Sequence, residues 1–155
     1  RIALIAGEVG QMVTMKRIEG YKKALAESNL PYDESLLFTG KFDEETGYTY
    51  GVEILNLDPM PDALIITDDL IAFGATKVFK GAGLAIPEDL AIASFNNSIL
   101  SRYSDIPLTS VDINSFELGY YSVDLLAKAI NEGVKGRKLI IPYEIVKRQS
   151  TEGDL

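Results

Sequence analysis

The apolar positions of this chain fall into short unbroken runs separated by longer stretches with helical spacing. Ile2 to Ala6, Ala63 to Ile66 and Leu90 to Phe95 show little polar alternation, the pattern of inner parallel strands covered on both faces. Shorter strands are expected at Leu36 to Phe38 and Ser110 to Ile113, with a last strand from Leu139 to Arg148 and a polar tail from Ser150. The loop from Gly7 to Thr14 leads into a helix reaching about Ser28, with Met15, Ile18, Tyr21 and Leu25 inward. A second helix starts near Asp43 or Glu44 and turns Tyr48, Val52 and Leu55 to the core. In a third, Ile71, Gly74, Ala75, Val78 and Ala82 form a close-fitting face, Asp69 is placed to cap the start, and Gly81 and Gly83 end it. Phe116 to Glu132 is strongly amphipathic, with Leu118, Tyr121, Leu125, Leu126, Ala129 and Ile130 on one side and Gly133 and Gly136 as its stop. Alternating strands and helices predict an α/β fold, a mostly parallel sheet flanked by helices.

Composition narrows the chemistry. The 155 residues suit about one domain. A net charge of −8 without a basic block disfavours nucleic-acid binding by these residues, since phosphate neutralisation supplies most non-specific affinity. Without Cys or His there are no disulfides, thiol nucleophiles, usual zinc sites or Ser-His-Asp arrangements. No apolar run approaches the ~20 residues of a membrane span, so no membrane partner is expected, and a cysteine-free chain fits the cytoplasm. The chain opens directly on a core strand, RIALIAG, which suggests a piece of a longer protein.

In open α/β sheets ligands sit beyond the carboxyl ends of the strands. Asp68, Phe42 and Asn96 are expected there, and Arg17 lies on the helix after the first strand. A cation, a carboxylate, an amide and a ring suit a polyhydroxylated ligand, whose hydroxyls need paired donors and acceptors and whose ring face needs an aromatic. The plainer alternatives are a solvated Arg17 and a Phe42 packed beneath its loop. An enzyme would use Asp68 with Asp69 or Asp43 as a carboxylate pair. Adjacent residues at a helix start point apart, however, so no catalytic residue, cofactor or metal is expected.

R-I-A-x-I-x-G, K-R-I-E-G-Y, P-D-A-L-I-I-T-D-D-L-I-A-F-G-A, G-L-A-I-P-E-D-L-A-I-A-S-F-N-N and I-P-L-T-S-V-D-I-N-S-F-E-L-G occur in this order. Together they resemble the LacI/GalR family of bacterial transcription regulators, from Arg1 to about Thr151. SFNNS with YSDIPLTSVDIN resembles, more narrowly, the maltose-operon repressors. The resemblance implies a periplasmic-binding-protein-like (type I) fold: two α/β lobes with a sugar cleft between them, after an N-terminal helix-turn-helix that binds operator DNA. It implies that residues 1–113 form the C-terminal lobe, that 114–138 cross to a first lobe missing here, and that 139–155 return as the last strand and tail. Ligand-contacting positions then fall on Arg17, Phe42, Asp68 and Asn96, with Asp112 on the crossover strand. A homodimer surface would run through Leu70, Phe73 and Lys77 and through Ile99, Leu100 and Tyr103. The implied role is the sugar-sensing and dimerisation part of a maltose or maltodextrin repressor; the alternative is a transport-type sugar-binding lobe. Two positions depart from the family pattern. Asn96-Asn97 stands where two aspartates are usual, and Asp68-Asp69 where Asn-Asp is common, as if amide and carboxylate had changed places. The helix from 116 to 132 is expected to pack on a second chain or to fold back on its own lobe, because exposing its apolar face costs several kcal/mol at about 25 cal/mol per Å².

Overall fold

A computed structural model describes residues 1–133 and 136–152. Its sheet has six strands in the order β2-β1-β3-β4-β5-β6. They are β1 (Ile2–Ala6), β2 (Leu37–Thr39), β3 (Ala63–Ile66), β4 (Ala91–Phe95), β5 (Thr109–Asp112) and β6 (Glu144–Val146). The first five are parallel and β6 runs antiparallel to β5. The expected mostly parallel α/β sheet is therefore present. From β1 the chain turns to β2 on one side and to β3 on the other. This makes the carboxyl ends of β1 and β3 a topological switch point, the place where such sheets open a crevice.

Alternate residues of β1 serve the two faces, as the period of two demands. Ala3 and Ile5 join a core with Leu64, Ile66 and Ile92 under α2 (Glu44–Leu55) and α3 (Asp69–Gly81). Leu4 and Ala6 meet Ile18, Tyr21 and Leu25 of α1 (Met12–Glu27) on the other face. The inward stripe of α1 is Thr14, Ile18, Tyr21 and Leu25, whereas the expected Met15 is 49% exposed.

The buried face of α2 also differs from its apolar pattern. Gly47, Gly51 and Ile54 are buried, while Tyr48 and Val52 lie exposed and Leu55 is half-buried. Glycine decides this, because α2 and α3 approach until backbone meets backbone. A Cβ on Gly47 would overlap the Ile71 carbonyl, and one on Gly74 would overlap the Glu44 carbonyl. Phe79, absent from the expected α3 face, is fully buried there, and Val78 only partly.

The C-terminal region departs most from expectation. Only Glu144–Val146 of the expected strand pairs with β5. The start of the expected tail forms α6 (Gln149–Glu152), held by buried Ser150, which donates to the Ile92 carbonyl and accepts from Thr109 N–H at 2.8 Å. Residues 153–155 lie outside the described residues. The helix α5 (Ser115–Glu132) has no buried residue, and Leu126 and Ile130 are 61% and 73% exposed. It does not fold back on the lobe, which removes one of the two packings expected for it.

Candidate functional site

The helix α3 starts one residue earlier than a cap at Asp69 requires. Asp68 has extended dihedrals and its Oδ1 accepts from Leu70 N–H at 2.8 Å, so Asp68 is the cap. Asp69 instead turns into the protein, where it is 1% exposed. Ser94 and Ser110 donate their hydroxyls to Oδ1 at 2.5 and 2.9 Å, and Ser98 N–H donates to Oδ2 at 2.6 Å. Three donors make a buried carboxylate tolerable. They also leave Asp68 and Asp69 with separate duties rather than a shared reaction space.

The second oxygen of Asp68 accepts from Asn96 Nδ2 at 2.8 Å. The Asn96 carbonyl accepts in turn from Arg17 Nη2 at 3.3 Å. Arg17 Nη1 donates to the Thr67 carbonyl, and its guanidinium lies 4.6 Å above the Phe95 ring. The solvated reading of Arg17 is therefore corrected: it is half-buried and spans the ends of β3 and β4. Burial pulls its pKa below the ordinary arginine value, and the Asp68 charge opposes that shift. Arg17, Asp68 and Asn96 thus form one hydrogen-bonded group at the switch point.

The other two predicted positions lie at the same edge of the sheet. Phe42 follows β2, and a Cβ on Gly7, just after β1, would run into its ring. Phe42 is half-buried and packs against the core, as its plainer reading held. Asp112, at the end of β5, accepts from Asn97 Nδ2 at 2.8 Å and from Asn114 N–H at 2.7 Å. These two bonds lower its pKa below the usual aspartate value.

Arg17, Thr67 and Phe95 also line a groove of about 360 Å³ between α1 and the sheet, walled by Ile65 and Tyr21. A larger concavity, about 670 Å³, runs along Phe116, Tyr120 and Val123 on the bare side of α5 and holds no polar cluster comparable to the switch-point group. Among the described residues, no group of three or more Asp, Glu, His or Cys is arranged to hold a metal ion.

Arg148, Ser94 and Ser110 were not singled out as site residues from the sequence, and Asn97 was noted only as a departure from the family pattern. The signal for Ser94 was present, since it interrupts an apolar strand and a buried hydroxyl needs a partner, whereas Ser110 lies in the polar run TSVD. Nothing local marked Arg148, which reaches back across the fold to Asn97 Oδ1 at 2.5 Å.

A model of the periplasmic binding protein-like domain matches residues 1–151. The chain belongs to that family. Within it, the chain matches the effector-binding domain of LacI-type transcriptional regulators. It is 33% identical over 152 residues to the HTH-type transcriptional repressor PurR of Histophilus somni (strain 129Pt), covering 97% of this chain and 46% of the repressor. A crystal structure assigned to a LacI transcriptional regulator from Bacillus cereus subsp. cytotoxis superposes with a TM-score of 0.93 at 33% identity, over 100% of this chain and 55% of that one. A complex of the transcriptional regulator CelR with cellobiose gives 0.90 at 29% identity, over 97% of this chain and 46% of CelR. The chain spans about half the length of the curated relatives it matches.

Three of the six residues expected at a dimer surface line one groove between α3 and α4 (Ile99–Tyr103). Tyr103, Phe73 and Lys77 border a shallow groove of about 180 Å³, and Ile99 is 72% exposed. Leu70 is also exposed and Leu100 is half-buried. Lys77 is already engaged within the chain, with Glu44 at 2.7 Å and over the Phe73 ring at 4.1 Å.

Proposed function

We propose that this domain senses a sugar for a transcriptional repressor and performs no chemistry on it. The observation that carries the reading is the Arg17–Asn96–Asp68 group. It gathers a cation, an amide and a carboxylate at the crevice of the sheet, with Asp112 at the end of β5 and Phe42 after β2. Each of the three can exchange a bond within the protein for one to a hydroxyl, which is how a neutral polyol is held without an ion. The cellobiose bound to CelR supports a sugar as the class of ligand. The resemblance of SFNNS and the YSDIPLTSVDIN run to maltose-operon repressors favours maltose or a maltodextrin as that sugar.

The mechanism is a shift of population. A ligand held between this lobe and a second one favours one angle between them, and linkage requires the same coupling free energy to appear in operator affinity. In this reading residues 1–113 and 139–155 make one lobe and 114–138 belong to the other, which accounts for the exposure of α5. Operator DNA is bound by a helix-turn-helix outside this chain, two copies meet through α3 and α4, and the protein works in the cytoplasm. The relatives reported above are named as transcriptional regulators, which favours regulation over transport.

Thermal shift of the full-length native protein with maltose, maltotriose, cellobiose, lactose and glucose tests the ligand class. Stabilisation should follow RT ln(1 + [L]/Kd), largest for a maltodextrin. No shift with any of the five sugars rejects the sugar reading.

A further inference from the structure

Asn96 is followed by a second asparagine that faces away from Asp68 and makes contacts of its own. Both residues have positive φ, 94° and 47°, a conformation that costs an ordinary side chain about 1 kcal/mol and that asparagine tolerates best. Asn97 N–H donates to Ser110 Oγ at 3.0 Å. Its side-chain oxygen accepts from Arg148 Nη2 at 2.5 Å, and its Nδ2 donates to Asp112 Oδ2 at 2.8 Å. Arg148 is itself anchored, through Nη1, to the Leu108 carbonyl at 2.7 Å and to Ser101 Oγ at 3.3 Å.

Asp112 extends the connection. Its other oxygen accepts from Asn114 N–H at 2.7 Å, just before α5, and Asn114 Nδ2 donates to the Pro142 carbonyl at 2.6 Å, just before β6. A continuous polar path therefore joins the loop that carries Asn96 to both chain segments flanking α5. We infer that Asn97 is a positioning residue that fixes the Asn96 loop to the crossover at Asp112 and Asn114. Its meaning for ligand sensing rests on Asn96 being a ligand contact; the tether itself does not. The amide meets both partners at once, its NH2 donating to a carboxylate while its oxygen accepts from a guanidinium. An aspartate at this position would keep the Arg148 bond but set two carboxylates against each other.

Backbone hydrogen exchange, followed by NMR on the full-length native protein, tests the tether without any ligand. Asn97→Gly keeps the left-handed backbone and removes only the amide. Asn97→Asp keeps the backbone and the acceptor but loses the donor. In both, Asn114 N–H should exchange about tenfold faster, the effect of losing one net hydrogen bond. Leu64 and Ile66, in the core, should be unchanged. Ser101→Ala, which removes a contact of Arg148 without touching Asn97, should leave Asn114 unchanged too. Unaltered exchange at Asn114 in Asn97→Gly overturns the proposal. Equal acceleration at Asn114, Leu64 and Ile66 also overturns it, because Asn97 then contributes only to overall stability. Neither result bears on whether a sugar binds.

Discussion

Asp68 and Asn96 meet across the gap between β3 and β4, with Asn96 Nδ2 donating to Asp68 Oδ2 at 2.8 Å while Asp68 Oδ1 caps α3. One carboxylate thus serves the fold with one oxygen and the cleft with the other. The two duties can be separated. Asp68→Ala removes both and should cost about 1 kcal/mol of stability, the usual loss for a helix cap. Asp68→Ser retains a capping hydroxyl and should stay within a few tenths of wild type, about the spread among good caps. Urea denaturation of both variants checks this.

Asp69 has a single duty, and its loss should be more severe. Asp69→Ala strands the buried Ser94 and Ser110 hydroxyls and the Ser98 N–H. Unsatisfied buried groups cost about 1–3 kcal/mol each before relaxation, so destabilisation should exceed about 3 kcal/mol. A midpoint of urea unfolding close to that of wild type would show that these donors find other partners.

Glycines in helices should divide by what surrounds them. Gly47→Ala and Gly74→Ala drive a methyl into the facing backbone and should destabilise by about 2 kcal/mol or more. Gly20→Ala in α1 meets nothing within 4 Å and should stabilise by about 0.5–1 kcal/mol, since alanine is the better helix former. Thermal melts of the three variants give the sign directly.

Acid should loosen the crossover. Hydrogen bonds from Asn97 and Asn114 hold the Asp112 pKa below the ordinary aspartate value. The stability they contribute is present above that ordinary value, about 3.9, and is lost as pH falls through the lowered folded value. A carboxyl carbon titration by NMR should place Asp112 below about 3.9 in wild type and closer to it in Asn97→Gly.

The strands, and the meeting of Arg17, Asp68 and Asn96 at one edge of the sheet, were legible because they depend on local pattern. β1, β3 and β4 are short apolar runs, and the residues just after parallel strands must line one edge of the sheet. Helix faces were less legible. Tyr48 and Val52 have the spacing of an inward stripe, yet α2 buries Gly47 and Gly51, because a glycine at 47 admits the backbone of α3 and Gly51 lies in tight contact with Ala75 and Val78. The exchange of roles between Asp68 and Asp69 was hidden for a different reason. Either aspartate can cap, and what decides is the pair of serines in β4 and β5 waiting for an acceptor, a contact distant in sequence. Ser150 and Arg148 were missed because their partners lie some forty to sixty residues away.

Isothermal calorimetry of maltose and maltotriose with the full-length wild type, Asp68→Ser and a Tyr48→Ala control puts the cleft to its most direct test. One wild-type site should be weakened by about ten- to a hundredfold in Asp68→Ser, the loss of a hydrogen bond to a charged group, and be unaltered in Tyr48→Ala. Undiminished affinity in Asp68→Ser would place the sugar somewhere other than the meeting point of Arg17, Asn96 and Asp68.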